Sequence, residues 1–394
     1  MVHSGSESVS ESESKGIGVD SDTDSDPDPE INQITVYPSE QLPSIMIARR
    51  INMCNVTRRE FIAGSAAMVT MLADSDVRRA GAAQADQVSQ DVYFYEDNRA
   101  CNNGWICFED YVLVVDANYP SGAQQLVPQI RSVTQKPIRF AFDTHHHGDH
   151  VYGNQVMVEN GATPIAHTGA LEELKRYETG YYGGKPGRWE DAAKSRADVK
   201  ASRFKPPSVL FPRELFFDDG KHRVELIHLG VAHTHGDAFA WLPNERILFT
   251  GDACVNGPYN YVADGNVEQW IKTLDAARKL GAGLICPGHG ARGESVMLED
   301  QQEYFKSLRE RVGALVSAKK NPEEIRQSVE KIRGELSAVP RIARYVSKGG
   351  LAAQVEKVYQ ELTGSLLPAA PRPVGEARLR HAHQHGLPLA THVG

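Results

Sequence analysis

The sequence predicts an α/β protein with two or more layers, because strand and helix patterns alternate from Asp91 onward. Runs rich in β-branched and aromatic residues, such as "GWICFEDYVLVVDANY" and "IRFAFDT", indicate strands. Helical spacing of apolar residues appears between them, in "AQQLVPQIRSV" and "GALEELKRY". Histidines and aspartates recur just after the apolar strands, which is where α/β sheets place their sites.

The remaining elements follow the same alternation. The first run is predicted to be a hairpin or a strand pair, with a turn near Glu109 and Asp110. The segments "RVELIHLG", "AFAWLP" and "RILFTG" predict three strands, and "GLICPGHG" predicts one more. A helix from Asn266 to Leu280 lies before this last strand, with Asn266 as its N-cap and Gly281 at its end. Two C-terminal helices, in "NPEEIRQSVEKI" and "LAAQVEKVYQEL", are expected to cover the core or to form part of a dimer contact.

Composition narrows the class of protein. The chain has 394 residues, of which 41% are hydrophobic and 24% charged, so it can bury a sizeable core. The net charge is -8, and residues 1–50 alone carry ten acidic and three basic side chains. The rest of the chain is therefore close to neutral, which gives no indication of a nucleic-acid surface. Five cysteines without a C-x-x-C pair do not form a disulfide scaffold; Cys101 and Cys107 either pair or are ordinary half-buried thiols.

The first 85 residues are not expected to belong to the catalytic domain. Residues 1–52 are rich in serine and acidic residues, which predicts either a disordered acidic leader or an over-long gene start. Residues 53–85 combine Arg58 and Arg59, a short apolar run and a small-x-small cleavage site ending at Ala85. This segment resembles a twin-arginine (Tat) signal peptide, which implies the Tat export machinery as a partner and a periplasmic or secreted protein. The apolar run is too short for a stable membrane anchor.

The predicted boundaries downstream follow composition. Residues 86–315 are expected to form the catalytic domain and residues 316–364 the C-terminal helices. Residues 365–394 are His-rich and follow a Pro/Ala linker, which predicts a disordered tail. The segment 177–207 is expected to be an insertion between core elements. It is either a mobile lid whose Tyr181, Tyr182 and Trp189 line a substrate mouth, or a solvated excursion whose aromatic residues pack on the core.

Four strand ends carry the residues that point to chemistry. The segment "FDTHHHGDHVYGN" alone places four histidines within six positions. Imidazole and carboxylate are ligands for Zn²⁺, and also for iron and manganese. In an extended loop, alternate residues point the same way, so His145 and His147 can share one metal, while Asp149 and His150 turn toward a second. The candidate metal ligands are His145, His147, Asp149, His150, His233, Asp252 and His289.

These residues resemble the motif series of the metallo-β-lactamase superfamily. "HHHGDH", "AHTHGD", "TGD" and "PGHG" match it in order, and the resemblance covers about residues 91–315. It implies an αββα sandwich with the site along one edge and with extra C-terminal helices. It also implies that His145, His147 and His233 hold one metal, that Asp149, His150 and His289 hold a second, and that Asp252 bridges them. Asp149 would in addition be catalytic, by orienting the bridging water or accepting its proton.

The details resemble the glyoxalase II, lactonase and general hydrolase branches, because Asp252 stands where zinc β-lactamases carry Cys or Ser. The resemblance implies two Zn²⁺ ions per chain, with manganese or iron as alternatives, and a bridging hydroxide that attacks an ester, thioester, lactone or amide bond, β-lactams included. The expected partner is a small-molecule substrate. A mononuclear iron oxygenase of the persulfide-dioxygenase type is the alternative, and a non-catalytic metal-binding protein is the third. The complete second ligand set argues against both.

Several neighbours of these ligands have two interpretations. His146 and His235 are either solvent-facing or contact the ligands and the substrate. Thr234 and Asp237 are expected to fix their loop by hydrogen bonds. Cys254 is expected to be a buried neighbour rather than a metal thiolate. Tyr259 and Tyr261 either touch substrate or pack the loop.

Overall fold

The computed structural model describes residues 35–36, 84–97, 99–347 and 349–367. Apart from the strand at Thr35–Val36, the predicted leader lies outside these residues. So do the predicted signal peptide, except for its last two positions, and the predicted tail beyond residue 367. No helix in the described ranges has the length and apolar character needed to cross a membrane.

The first sheet is built from the amino-terminal half of the domain. Its strands are β1 (Thr35–Val36), β2 (Asp86–Ser89), β3 (Val92–Tyr95), β4 (Asn103–Cys107), β5 (Val112–Val115), β6 (Ile138–Asp143), β7 (Thr163–His167) and β8 (Val209–Phe211). They lie in the order β1-β8-β7-β6-β5-β4-β3-β2. Strands β5 to β8 are mutually parallel and β2 to β5 antiparallel, which confirms the predicted hairpin between β4 and β5.

The second sheet is built from the carboxyl-terminal half. Its strands are β9 (Glu214–Asp218), β10 (Arg223–Ile227), β11 (Phe239–Leu242), β12 (Ile247–Gly251), β13 (Leu284–Pro287) and β14 (Gly293–Glu294), in the order β14-β13-β12-β11-β10-β9. The three strands predicted over residues 223–251 form an antiparallel series, and β12 then pairs in parallel with β13. The carboxyl ends of β12 and β13 therefore lie at the same edge.

Helices cover the outer faces of both sheets. The described residues form α1 (Pro120–Val133), α2 (Gly148–Val151), α3 (Asn154–Glu159), α4 (Thr168–Tyr177), α5 (Arg188–Ser195), α6 (Ala197–Lys200), α7 (Val267–Lys279), α8 (Val296–Ser317), α9 (Pro322–Gln327), α10 (Val329–Ser337) and α11 (Leu351–Thr363). Asn266 accepts a hydrogen bond from the Gln269 N–H at 2.8 Å, so the predicted N-cap of α7 is confirmed.

Three apolar layers make this arrangement an αββα sandwich. Side chains from both sheets, including Phe142 of β6 and Phe249 of β12, fill the space between the sheets. The opposite face of the first sheet packs against α1 and α3. The opposite face of the second sheet packs against α7 and α8, and α9 to α11 extend this outer layer. The predicted fold is confirmed, and the C-terminal helices do cover the core.

Candidate metal centre

The ligand-bearing loops leave the sheets at one edge. Strand β6 ends at Asp143, and His145 follows two residues later. His147 is in extended conformation directly before α2, so Asp149 and His150 lie in the first turn of that short helix. Asp252 follows β12, whose last residue Gly251 has a φ of 48°, in the left-handed region that favours glycine. His289 comes two residues after β13. The strand-end positions predicted from sequence are confirmed.

His233 comes from the longer loop between β10 and β11. Thr234 and Asp237 fix this loop, as predicted. The Thr234 N–H donates to Asp237 Oδ2 at 2.8 Å, and the Thr234 hydroxyl donates to Asp237 Oδ1 at 2.8 Å. His235, between them, is exposed, whereas His233 is buried. The loop therefore turns one histidine inward and the next outward.

The first ligand set is a trio of buried histidines. One nitrogen from each of His145, His147 and His233 lies within 4.8 Å of the others. His233 Nε2 is 2.8 Å from His147 Nδ1. These are the three residues that the motif resemblance assigns to one metal.

The second ligand set joins a carboxylate to two histidines. Donor atoms of Asp149, His150 and His289 also lie within 4.8 Å of one another. His289 Nε2 is 3.1 Å from Asp149 Oδ2, and His150 Nε2 is 3.7 Å from the same oxygen. Asp149 and His289 are each 17% exposed at the side chain, so this set faces the opening of the site.

The Asp252 carboxylate lies between the two sets. Its Oδ2 is 3.5 Å from His233 Nε2 of the first set and 3.4 Å from His289 Nε2 of the second. Its Oδ1 is 3.4 Å from His150 Nε2. One carboxylate thus reaches ligand nitrogens of both sets, which is the position that the resemblance gives to a bridging ligand.

Hydrogen bonds from outside the cluster fix the tautomers of His145 and His150. The Thr144 hydroxyl donates its single proton to Asp116 Oδ2 at 3.1 Å, so it accepts from His145 Nδ1 at 3.1 Å. His150 Nδ1 donates to the same Asp116 oxygen at 2.9 Å. Both rings therefore turn the lone pair of Nε2 toward the centre.

The other two members of the first set are fixed in the same way. His233 Nδ1 donates to the Tyr261 carbonyl at 2.8 Å, and His147 Nε2 donates to Asp264 Oδ2 at 2.8 Å. The facing nitrogens, His233 Nε2 and His147 Nδ1, are then both acceptors. Two acceptors at 2.8 Å repel each other unless a cation or an extra proton lies between them.

The donor atoms fit metal ions by a second criterion. His145 Nε2, His150 Nε2 and Asp252 Oδ1 are buried and have no hydrogen-bond partner among the described residues. An unsatisfied buried polar atom is costly, and a bound ion is one of the few ways to satisfy it. These nitrogen and carboxylate donors, with their orientation fixed from behind, are suited to zinc and to related divalent ions.

The electrostatics differ between the two sets. Burial, and then the nearby His147, lowers the pKa of His233 to about 3, and burial also lowers the pKa of His145. Burial alone would lower the pKa of His289, but Asp252 and Asp149 raise it to about 10. His145 and His233 of the first set are thus neutral imidazoles, whereas His289 of the second set lies beside two carboxylates that attract positive charge.

Three residues that support the site were not predicted. Asp116 follows β5 and has a φ of 62°, so the strand-end rule that found the ligands would also have found it. Asp264 and Arg188 lie in loop and insertion sequence without a motif. Arg188 binds Asp264 through two hydrogen bonds, of 2.7 and 3.0 Å.

The surroundings decide several open interpretations. His146 is buried, stacked on Tyr177 with ring centroids 5.4 Å apart, so it is not solvent-facing. Cys254 is buried and free, as are Cys101 and Cys107, which do not pair. The predicted insertion matches the solvated excursion in part, because Tyr181 and Tyr182 are exposed whereas Trp189 packs against Tyr152. It contains α5 and α6, and it directs Arg188 toward the ligands.

Comparison with known proteins agrees with this description. Residues 97–289 match the family model described as the metallo-beta-lactamase superfamily. A metallo-beta-lactamase type 2 from Pseudomonas aeruginosa is 32% identical over 95 residues, covering 23% of this chain and 38% of that protein. The 2,4-dinitroanisole O-demethylase subunit alpha of Nocardioides sp. (strain JS1661) is 27% identical over 181 residues, covering 45% and 49%. The chain thus spans less than half the length of either relative.

Solved structures give further likenesses. A metallo-beta-lactamase from Pontibacter korlensis has a TM-score of 0.46 at 15% identity, covering 57% of this chain and 98% of that one. The DIM-1 metallo-beta-lactamase has a TM-score of 0.44 at 18% identity, covering 57% and 97%.

The fold, the motif series and the family match together define the class. Residues 97–289 form a metallo-beta-lactamase superfamily domain, with clusters of histidine and aspartate that could hold metal ions. This superfamily consists largely of hydrolytic metalloenzymes and includes some oxygenases and non-catalytic members, and zinc is the metal that it commonly binds.

Proposed function

We propose that the domain is a dinuclear zinc hydrolase acting on an ester, thioester, lactone or amide bond. The single observation that carries this proposal is the position of the Asp252 carboxylate, within 3.5 Å of ligand nitrogens from both sets. A site for one ion would not need a complete second set beyond that carboxylate. When bound, the two cations supply the Lewis acidity that activates water and polarises the scissile carbonyl.

The chain's own contribution begins with holding the ligands. Asp116 and Thr144 keep His145 and His150 in the tautomers that bind a cation, as described above. All these groups are buried, so little reorganisation is needed when the substrate arrives.

Asp149 is the carboxylate best placed to move a proton. Burial alone would raise its pKa, but the neighbouring His150 and His289 hold the pKa of Asp149 below its usual value. It therefore stays ionised at neutral pH, and both of its oxygens are available as acceptors for a water hydrogen bond. Because its side chain is 17% exposed, it also faces the space from which water and substrate enter. We assign to Asp149 the proton released as water attacks.

Two tyrosines flank the ligands on the open side. Tyr259 stacks on His289 with centroids 5.3 Å apart and is 39% exposed. Tyr261 lies edge-on to His147 at 5.5 Å and is 36% exposed. Exposed aromatic faces beside a polar centre favour substrates with an apolar or flat group next to the scissile bond.

The substrate panel follows from these features. It contains esters, thioesters and lactones with aromatic or alkyl groups. β-Lactams and 2,4-dinitroanisole are added because the names of the two curated relatives point to them. Asp252, in the position where the zinc β-lactamases carry Cys or Ser, supports the ester and lactone branches as the first to be screened.

The deciding measurement is the metal content of the full chain by elemental mass spectrometry, after expression without added metal. Two zincs per chain, with turnover of a panel member, support the proposal. One iron per chain, with oxygen consumption, would instead support an oxygenase. Asp149→Ala should abolish turnover. Asp191→Ala, which removes an exposed carboxylate paired with Lys194, should not. Equal rates in these two variants would contradict the assignment.

We also propose export through the twin-arginine route, on the basis of the Arg58–Arg59 pair and the apolar run after it. Replacing both arginines by lysine should prevent the mature chain from appearing outside the cytoplasm. The same replacement at Arg49 and Arg50, a second arginine pair in the leader, is the matched control. If both pairs behave alike, the export proposal is wrong.

A further inference from the structure

We propose that Arg188, carried by the inserted segment 177–207, is a positioning residue for the metal centre. It holds Asp264 so that this carboxylate fixes His147 in its metal-binding tautomer. The inference rests on the proposed metal binding. It adds that the affinity for the metal depends on contacts from the inserted segment. Metal retention would then require that this segment is seated on the domain.

Arg188 binds the Asp264 carboxylate through two parallel hydrogen bonds, which together are called the fork below. Arg188 Nη1 donates to Asp264 Oδ2 at 2.7 Å, and Nη2 donates to Oδ1 at 3.0 Å. A bidentate guanidinium–carboxylate pair fixes the plane of the carboxylate as well as its distance. Asp264 is only 6% exposed, so its charge needs this partner. The same Oδ2 accepts from His147 Nε2 at 2.8 Å.

Arg188 is itself held in place from three directions. Its guanidinium carbon lies 3.5 Å from the centre of the Tyr177 ring. The backbone N–H of the next residue, Trp189, donates to Glu178 Oε2 at 2.6 Å. The Trp189 ring packs against Tyr152 at 4.7 Å, and Tyr152 donates to Glu178 Oε1 at 2.6 Å. The side chain therefore reaches Asp264 from a segment that these contacts anchor to the domain.

The fork acts on the metal ligand through the proton of the imidazole. With Asp264 oriented, His147 Nε2 carries the proton and Nδ1 presents its lone pair toward His145 and His233. If the carboxylate rotated away, Nε2 would lose its acceptor, and the tautomer with a protonated Nδ1, which has no lone pair facing His145 and His233, would gain population.

The guanidinium also keeps a misplaced cation out. His146, His147 and Asp264 have donor atoms within 4.8 Å of one another, a spacing that would suit an ion outside the main centre. Arg188 Nη1 lies 3.4 Å from His146 Nε2 and already neutralises Asp264. A fixed positive charge in that position repels a cation from the His146–His147–Asp264 cluster, and so favours metal binding in the main centre.

The test measures metal affinity in the full chain, by zinc competition against a chromophoric chelator, and the visible spectrum of the Co²⁺-loaded protein. Arg188→Met should weaken zinc binding by about 10-fold. This is the lower end of the range seen when the residues that hydrogen-bond and orient a metal ligand are mutated. It should also change the Co²⁺ absorption bands. Arg176→Met is the matched control, because Arg176 also stacks on Tyr177, at 5.0 Å, and touches no ligand. It should leave affinity and spectrum unchanged.

A double-mutant cycle with Asp264→Asn separates positioning from general stability. If Arg188 acts through Asp264, Arg188→Met should cause no further loss of affinity in the Asp264→Asn background. Additive losses, or equal affinities in Arg188→Met and Arg176→Met, would overturn the proposal. Arg188→Lys keeps the charge without the fork and should recover part of the affinity, which supplies the test if the methionine variant does not fold. A wild-type chain that binds no metal would instead overturn the metal centre itself, and the positioning role with it.

Discussion

Gly288, directly before the candidate ligand His289, is a position where one added carbon would press on the Asp252 carboxylate, the proposed bridging ligand. A Cβ at this position would lie 2.1 Å from Asp252 Oδ1 and 2.7 Å from the Gly251 carbonyl carbon. Gly288→Ala therefore places a methyl group between the loop after β13 and the Asp252 carboxylate. The Gly288 φ is not in the left-handed region, so the perturbation comes from this clash and not from backbone strain at Gly288 itself.

The required displacement follows from these distances. An ordinary Cβ contact begins at 3.4 Å, so Asp252 Oδ1 and the methyl group must separate by at least 1.3 Å, the difference from 2.1 Å. The backbone cannot simply retreat. The Gly288 N–H donates to the Gly251 carbonyl at 2.8 Å, and the Gly288 carbonyl accepts from the Asn102 N–H at 2.7 Å. The Asp252 carboxylate must therefore move, and the 2.7 Å contact with the Gly251 carbonyl carbon requires a backbone shift as well. A misplacement of about 1 Å in a catalytic site can cost about 100-fold in rate.

The assay compares Gly288→Ala with Gly283→Ala, a matched change just before the same strand, where the nearest atom to the added Cβ is 3.9 Å away. Metal stoichiometry by elemental mass spectrometry, turnover of the best panel substrate and urea unfolding are measured for both. We expect Gly288→Ala to bind less than the full complement of metal and to lose about 100-fold in turnover. The overpacking should also destabilise it by about 1–3 kcal/mol. Gly283→Ala should resemble the wild type.

The refuting result is a Gly288→Ala variant with full metal content and with the turnover of Gly283→Ala. The Asp252 position would then tolerate a large displacement, and the bridging role argued from its distances would be wrong. A loss of stability without a loss of metal would show that the clash is relieved in the backbone rather than at the carboxylate.

Three further predictions follow from contacts around the site. Asp116→Asn removes the charge that accepts from His150 and should weaken zinc binding by about 10–100-fold in chelator competition. Tyr259→Ala removes an exposed ring and should raise KM by about 2- to 10-fold, with less effect on kcat, in steady-state kinetics. Burial, followed by the stacked His228, lowers the pKa of His167 to about 4. Because the unfolded chain binds this proton more readily, stability falls as pH drops from 6.5 toward 4, by about 2 kcal/mol between pH 7 and 5. His167→Asn should flatten that part of the urea-unfolding profile.

Each of these predictions has a control that the chain supplies. Asp110→Asn removes an exposed carboxylate and should leave zinc affinity unchanged. Tyr259→Phe keeps the ring and should keep KM near the wild-type value, so a phenylalanine variant as poor as the alanine one would argue against ring contact. His235→Asn removes an exposed histidine, and its pH profile should match the wild type. An unchanged profile in His167→Asn would contradict the burial argument.

All seven candidate ligands could be found from the sequence for a physical reason. Each follows an apolar strand, and strand ends can be recognised from hydrophobic pattern alone. The same rule extends to Asp116, whose carboxylate accepts from Thr144 and His150. Asp264 and Arg188 could not be found this way, because their importance comes from a contact across 76 positions of sequence. Local pattern carries no information on such a pairing.

The fold likewise has features that a local sequence pattern predicts and features that depend on contacts between distant segments. The helix α7 was predicted almost to the residue, because its cap and its apolar face are local signals. No helix was predicted over Val296–Ser317, although the buried Phe305, Leu308 and Val312 recur at helical spacing. The separation of the strands into two sheets depends on pairings between distant segments. It followed only from the resemblance to a known family.

The division of the strands between the sheets also divides the ligands. The half that ends with β8 supplies His145, His147, Asp149 and His150, and the half that begins with β9 supplies His233, Asp252 and His289. Each proposed metal position draws on both halves, so neither half alone carries a complete set. The proposed metal centre would therefore connect the two halves of the sandwich across the interface between the sheets. If the chain were cut between Phe211 and Glu214, metal uptake by the mixed fragments would report directly on whether the two layers had docked in register.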